Sequence, residues 1–162
     1  MYGQTNPQVD PVLQKQMLRR ALESRQNMLL ALVGGLIGAA IGAALWAVVM
    51  VVTDLKIGIV AIVVGWLAGQ LAWKFGRGLT PAYGVVGAVC ALIGVVADNV
   101  LGVCAYAAKS PEYDVGFFEM LGMLNFDLIV KIIKATFVPL DPLFYLIALY
   151  EGWKFSFRQL AV

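Results

Sequence analysis

The chain has 162 residues, of which 61% are apolar and only 14% are charged, and its formal net charge is +2. Soluble domains contain roughly 45–50% apolar and about 25% charged residues, so this composition excludes a soluble globule and a disordered chain. The sequence has no histidine and two cysteines, which excludes imidazole metal sites, Ser-His-Asp triads and zinc ribbons. We therefore expect an integral membrane protein that is not an enzyme and has no metal or cofactor. Its expected partners are membrane lipids and other membrane proteins, not nucleic acid.

Residues 1–27 form a predicted polar and basic arm outside the membrane. Asp10 followed by Pro11 predicts a helix start, because aspartate caps the first turn and proline suits the first helical position. Residues 11–27 then mix apolar with basic side chains, and Arg19 and Glu23 lie one turn apart. This pattern predicts a short amphipathic helix at the membrane surface.

Residues 28–158 form the predicted membrane domain. Residues 28–52 carry no charge, and at about 1.5 Å per residue they reach roughly 37 Å, more than the roughly 30 Å hydrocarbon core requires. Further spans are predicted at residues 57–75, 82–107 and 142–157. The last is the weakest, and three spans with a half-membrane re-entrant helix is the alternative.

The segment 111–138 lies between the third and fourth predicted spans and is too polar to cross a membrane. Asp127, Lys131 and Lys134 form one polar stripe on a helix that is otherwise apolar, so we predict an interfacial helix on the outer face. The predicted fold is all-α. Four transmembrane helices form a tight bundle packed through small residues, with an N-terminal amphipathic helix and this interfacial helix outside it.

Basic residues cluster near three of the predicted span ends, which lie on one side in a four-span topology. By the positive-inside rule this side is the cytoplasm, so we predict a bacterial cytoplasmic (inner) membrane protein with both termini cytoplasmic. The last two clusters form a predicted rim for anionic lipid headgroups, made of Lys74, Arg77, Lys154 and Arg158.

Glycines repeat every four residues in the first two predicted spans. Such a ridge lets another helix backbone approach closely, and the residues concerned are Gly34, Gly38, Gly42, Gly65 and Gly69. Two interpretations remain open. The ridges pack helices within one chain, or the first helix joins copies of the chain into a homo-oligomer.

Asp98 and Asn99 are the intramembrane polar pair most suggestive of function. A buried aspartate costs on the order of 2.5–3.5 kcal/mol on insertion scales, so it should face the bundle or a wet cavity. Lys56 is its predicted ion-pair partner. The pair lies on a proton or cation pathway, or Asp98 simply reaches headgroup water. Glu151 is predicted to pair with Lys154, three residues further along the same helix, and Gln70 is a second predicted partner on the cytoplasmic side.

The C-terminal run at residues 141–158, DPLFYLIALYEGWKFSFR, resembles the ending of a group of small bacterial multi-pass membrane proteins with a Y-E-G-aromatic-K tail. The resemblance extends over about residues 30–158 and implies architecture, with no assigned activity. We expect an accessory subunit or self-assembling scaffold. The alternative is a small oligomeric ion channel or transporter that uses Asp98 and Asn99.

Overall fold

A computed structural model of the chain describes residues 10–53, 60–111 and 115–158. Every regular element in these ranges is an α-helix, which agrees with the predicted all-α class. The helices are α1 (Pro11–Glu23), α2 (Met28–Thr53), α3 (Val60–Gly76), α4 (Pro81–Lys109), α5 (Phe117–Gly122), α6 (Phe126–Thr136) and α7 (Asp141–Phe155).

Two of these helices, α2 and α4, are long and apolar enough to cross a membrane. α3 is also apolar but is shorter, with 17 residues. α6 and α7 meet this criterion only together and are bent by 113° at the break between them, as in a broken span or a re-entrant loop. The described residues thus contain two membrane-capable helices, or three if the bent pair is counted as one span.

Helices α2, α3, α4 and α7 form a bundle in which α3 and α4 contact each other and both outer helices. α2 and α3 are antiparallel, because Gly34 lies beside Leu71 while Gly42 lies beside Val64. We call the end where α2 and α4 begin the lower end of the bundle, and the opposite end the upper end.

The directions of the other two helices follow from similar contacts. Gly35 of α2 lies against Cys90 of α4, and Gly94 lies against Ala39, so these helices are parallel. Gly152 of α7 touches the start of α4, so α7 runs downward. The four helices therefore alternate in direction, and each of α3 and α7 runs antiparallel to α4.

The bundle core consists mainly of glycine and alanine, which brings the helix backbones together. A Cβ atom added at Gly38 would lie 2.5 Å from the backbone oxygen of Leu67. The predicted glycine ridges all face helices of the same chain: Gly34, Gly38 and Gly42 face α3, and Gly65 and Gly69 face α7. The structure thus uses them for packing within the chain, the first of the two interpretations above.

A hydrogen-bonded junction closes the lower end. Asn27 caps α2 by accepting a hydrogen bond from the backbone N of Leu30 at 3.0 Å, and its own backbone N donates to the oxygen of Gly76 at 3.0 Å. The side-chain oxygen of Gln26 accepts from the backbone N of Leu79 at 3.2 Å. These bonds attach the segment before α2 to the loop between α3 and α4.

The remaining helices lie outside the bundle. α1 begins at Pro11 with Asp10 as its N-cap, and four of its apolar side chains are more than half exposed: Val12, Leu13, Met17 and Leu18. α5 and α6 pack against α4. The polar stripe of α6, Asp127, Lys131 and Lys134, is exposed, so its apolar side faces the bundle.

Candidate functional site

A polar cavity of about 140 Å³ lies in the upper part of the bundle, where all four bundle helices and the bend before α7 meet. Apolar walls surround a small group of polar side chains. The lining residues are Trp46, Ala61, Val95, Asp98, Asn99, Val138, Leu140, Asp141, Phe144 and Tyr145.

Helix α4 contributes Asp98 and Asn99. Asp98 is only 5% exposed, so its carboxylate faces the cavity and not the outer surface. The side-chain amide of Asn99 donates to the hydroxyl of Tyr145 at 3.2 Å and to the backbone oxygen of Val95 at 3.0 Å. The first of these bonds connects α4 to α7 across the cavity.

The bend before α7 brings a second carboxylate to the cavity. Asp141 accepts a hydrogen bond from the backbone N of Val138 at 2.8 Å, and its own N donates to the oxygen of Val138 at 2.9 Å. Pro142 follows at the second position of the helix, where its missing N–H costs nothing. The chain therefore turns sharply into α7 with Asp141 held at the cavity wall.

The cavity brings several oxygen-bearing side chains together. Two carboxylates, an amide and a phenol supply oxygen atoms, the ligands that hard cations prefer. The walls are apolar, and electrostatic interactions between groups in such a site are stronger than in water. Carboxylates inside membrane bundles commonly mark ion or proton pathways.

The other predicted intramembrane polar residues lie elsewhere. Glu151 is ten residues beyond Asp141 along α7, about 15 Å away by helical rise, and its backbone oxygen faces Gly69. Gln70 is half-buried on α3. Neither lines the cavity. Lys56, the predicted ion-pair partner of Asp98, lies outside the described residues.

The predicted lipid rim divides into separate parts. Lys74 and Arg77 line a second cavity at the lower end, and the guanidinium carbon of Arg158 lies 3.8 Å from the ring centre of Trp73. The amino group of Lys154 lies 5.4 Å from the ring centre of Tyr150. In the part of the chain that is described, Lys154 forms no ion pair with Glu151.

Sequence reasoning identified Asp98 and Asn99 but missed the roles of Trp46 and Tyr145. A tyrosine near the start of an apolar helix is typical of an interfacial aromatic belt, and Trp46 follows the glycine ridge of α2 in sequence, so neither pattern indicates a polar cavity. One signal was available: the fourth predicted span begins on the side of the membrane where the third ends, which brings Asp141 towards the part of the third span that holds Asp98. The pairing of Asn99 with Tyr145 depends on the antiparallel register of α4 and α7, which the sequence does not contain.

Comparisons of the chain with protein families, with characterised proteins and with solved structures find no match. The assignment of a function therefore depends on the geometry of the chain itself.

Proposed function

We propose that the chain is a non-enzymatic multi-pass protein of a bacterial membrane, which acts as an accessory subunit or a self-assembling scaffold. The observation that supports this role best is the use of the small-residue faces inside the chain. These small-residue faces are therefore already occupied by helices of the same chain, and bulky apolar side chains remain on the outside of the bundle. On α2 those more than half exposed are Leu29, Leu45, Val48 and Val52.

The chemistry of the chain also favours a structural role. The sequence has no histidine, and the thiols of Cys90 and Cys104 are completely buried. A histidine-activated nucleophile therefore cannot form, and neither thiol meets an external substrate. Such a rigid bundle offers an apolar surface to which another membrane helix or a second copy can bind.

We also propose that α3 and α7 cross the membrane beside α2 and α4, so that the chain has four spans. Their lengths of 17 and 15 residues correspond to about 25 and 22 Å. Local thinning of the bilayer accommodates spans of this length at modest cost. The basic lower end agrees with cytoplasmic termini.

Native mass spectrometry of the tagged chain, extracted gently from its own membrane, tests the proposed role. We expect a fixed stoichiometric assembly, either of several copies or with other membrane proteins. The first result indicates a scaffold and the second an accessory subunit. A monomer with lipid alone at all detergent concentrations would contradict both.

A second candidate function is a small ion channel or transporter, and the polar cavity is the observation that favours it. Asp98 and Asp141 line one cavity between helices, and Asn99 and Tyr145 join its walls. This arrangement provides oxygen ligands at one level of the bundle for a proton or a small cation.

Under this second candidate, Asp98→Asn abolishes cation or proton flux in proteoliposomes, because it removes the charge that attracts the cation. Asp141→Asn reduces the flux as well, and its amide oxygen still accepts the bond from Val138. Flux is measured with Na⁺- and pH-sensitive dyes inside the vesicles. Asp127→Asn, an exposed change on α6, is the matched control and leaves flux unchanged. No flux from the native protein would contradict the transport function.

A further inference from the structure

A second cavity, of about 370 Å³, lies at the lower end of the bundle and is lined by the end of α1, the residue Arg25 after it, the end of α3 and the loop after α3. Three of its lining residues are cationic and three are apolar. They are Arg25, Lys74 and Arg77, and Leu22, Trp73 and Leu79. The described residues that line it include no acidic side chain.

Backbone hydrogen bonds fix the two sides of this cavity relative to each other. The Gln26 side chain binds the backbone N of Leu79, and Asn27 binds the oxygen of Gly76. Arg25 directly precedes Gln26 in the chain, and Arg77 lies between Gly76, whose oxygen accepts, and Leu79, whose backbone N donates. The backbone segments that carry the three cationic residues are therefore held at one cavity, where all three side chains are exposed to solvent.

Arg77 directly follows α3 and has a backbone conformation that residues other than glycine rarely adopt. Its φ is 52°, in the left-handed region where glycine is the usual residue. Its backbone N donates to the oxygen of Trp73 at 2.7 Å, which completes the last turn. Although glycines flank it on both sides, the strained position itself carries an arginine, and this directs a guanidinium to the cavity at some cost in backbone energy.

Trp73 forms an apolar wall of the cavity, and Arg158 contacts its ring. The guanidinium of Arg158 stacks on the indole, with its carbon 3.8 Å from the ring centre, a favourable cation–π contact. The backbone N of Arg158 donates to the oxygen of Gly78 at 3.1 Å, which holds the C-terminal segment at this end. Arg158 thus positions the wall, while Arg25, Lys74 and Arg77 supply the charge.

We propose that this cavity is a specific site for the headgroup of an anionic phospholipid in the leaflet at the lower end of the bundle. The three cations surround the phosphate, to which arginine binds with paired N–H groups. Leu22, Trp73 and Leu79 contact the glycerol and the first part of the acyl chains. The cavity lies beside the first residues of α2, so in a membrane that α2 crosses it would face the headgroup region. This inference does not depend on either candidate function.

The test is native mass spectrometry of the full chain in a nonionic detergent, titrated with phosphatidylglycerol or with phosphatidylcholine. We expect one phosphatidylglycerol per chain to be retained in preference to phosphatidylcholine. Lys74→Gln and Arg77→Gly each weaken this binding about fivefold, the effect of one basic residue near an anionic surface. Arg77→Gly also relieves the left-handed strain, so a loss of binding in this variant does not result from misfolding.

Lys154→Gln is the matched control, because it removes a cation near the same end but outside the cavity. A specific site predicts that this change leaves lipid binding unaltered. An equal loss in Lys154→Gln and Lys74→Gln would indicate a general basic rim and overturn the proposal. Displacement of the lipid by millimolar inorganic phosphate would identify a site for free anions and would also overturn it, as would equal retention of phosphatidylcholine.

Discussion

Gly38→Ala is expected to destabilise the bundle by about 3 kcal/mol, at the upper end of the usual cost of overpacking. The added Cβ would lie 2.5 Å from the oxygen of Leu67, 2.8 Å from its carbonyl carbon and 2.9 Å from the Cα of Ala68. These are backbone atoms, so no side-chain rotation relieves the contact and α2 must move away from α3. Because association of membrane helices depends on close packing, the loss is large.

Gly122→Ala is the matched control for this change. Gly122 also lies in a helix, and no atom lies within 4 Å of an added Cβ there. Alanine is the better helix former by about 1 kcal/mol, so we expect Gly122→Ala to be neutral or slightly stabilising. Thermal unfolding in a mild detergent, followed by circular dichroism, measures both. An increase in stability for Gly38→Ala would contradict the close contact of α2 with α3.

The sequence predicts the helical elements well and their arrangement only in part. The charge-free run from residue 28 and the proline at position 81 identify α2 and α4, because length and hydropathy are local properties. The bend between α6 and α7 is different. The hydrophobic pattern predicts an interfacial segment followed by a weak span, but it does not give the 113° angle between them, where Asp141 and Val138 are hydrogen-bonded to each other.

The glycine ridges show the same limit of what the sequence can predict. Spacing alone predicts that Gly34, Gly38 and Gly42 lie on one face and that a backbone approaches them. It cannot identify the approaching helix, since a neighbour in the same chain and a second copy offer the same surface. The structure places α3 there, and any partner of this chain must therefore use another face.

The candidate sites differ in how much of each is visible in the sequence. Asp98 is conspicuous because a carboxylate within an apolar run is costly and rare. Arg25 and Arg77 are fifty-two residues apart in sequence and share a cavity only because hydrogen bonds join the ends of their segments. A simple count of basic residues groups Arg77 with Lys154, which lies elsewhere.

The central claim of this account is that α7 crosses the membrane beside α3, so that both ends of the chain lie on the same face. A cysteine introduced at one position at a time, Ser24, Ser110 or Lys154, and labelled with a membrane-impermeant maleimide, tests it directly. Both native cysteines are completely buried, so background labelling is expected to be low. Labelling is compared between spheroplasts and inverted membrane vesicles.

We predict that Ser24→Cys and Lys154→Cys react from one face of the membrane and Ser110→Cys from the other. The effect is all-or-none, since the reagent does not cross the bilayer. With cytoplasmic termini, the first two variants react only in inverted vesicles. Reaction of Lys154→Cys from the same face as Ser110→Cys would show that α7 does not cross the membrane. It would contradict the proposal of four membrane spans.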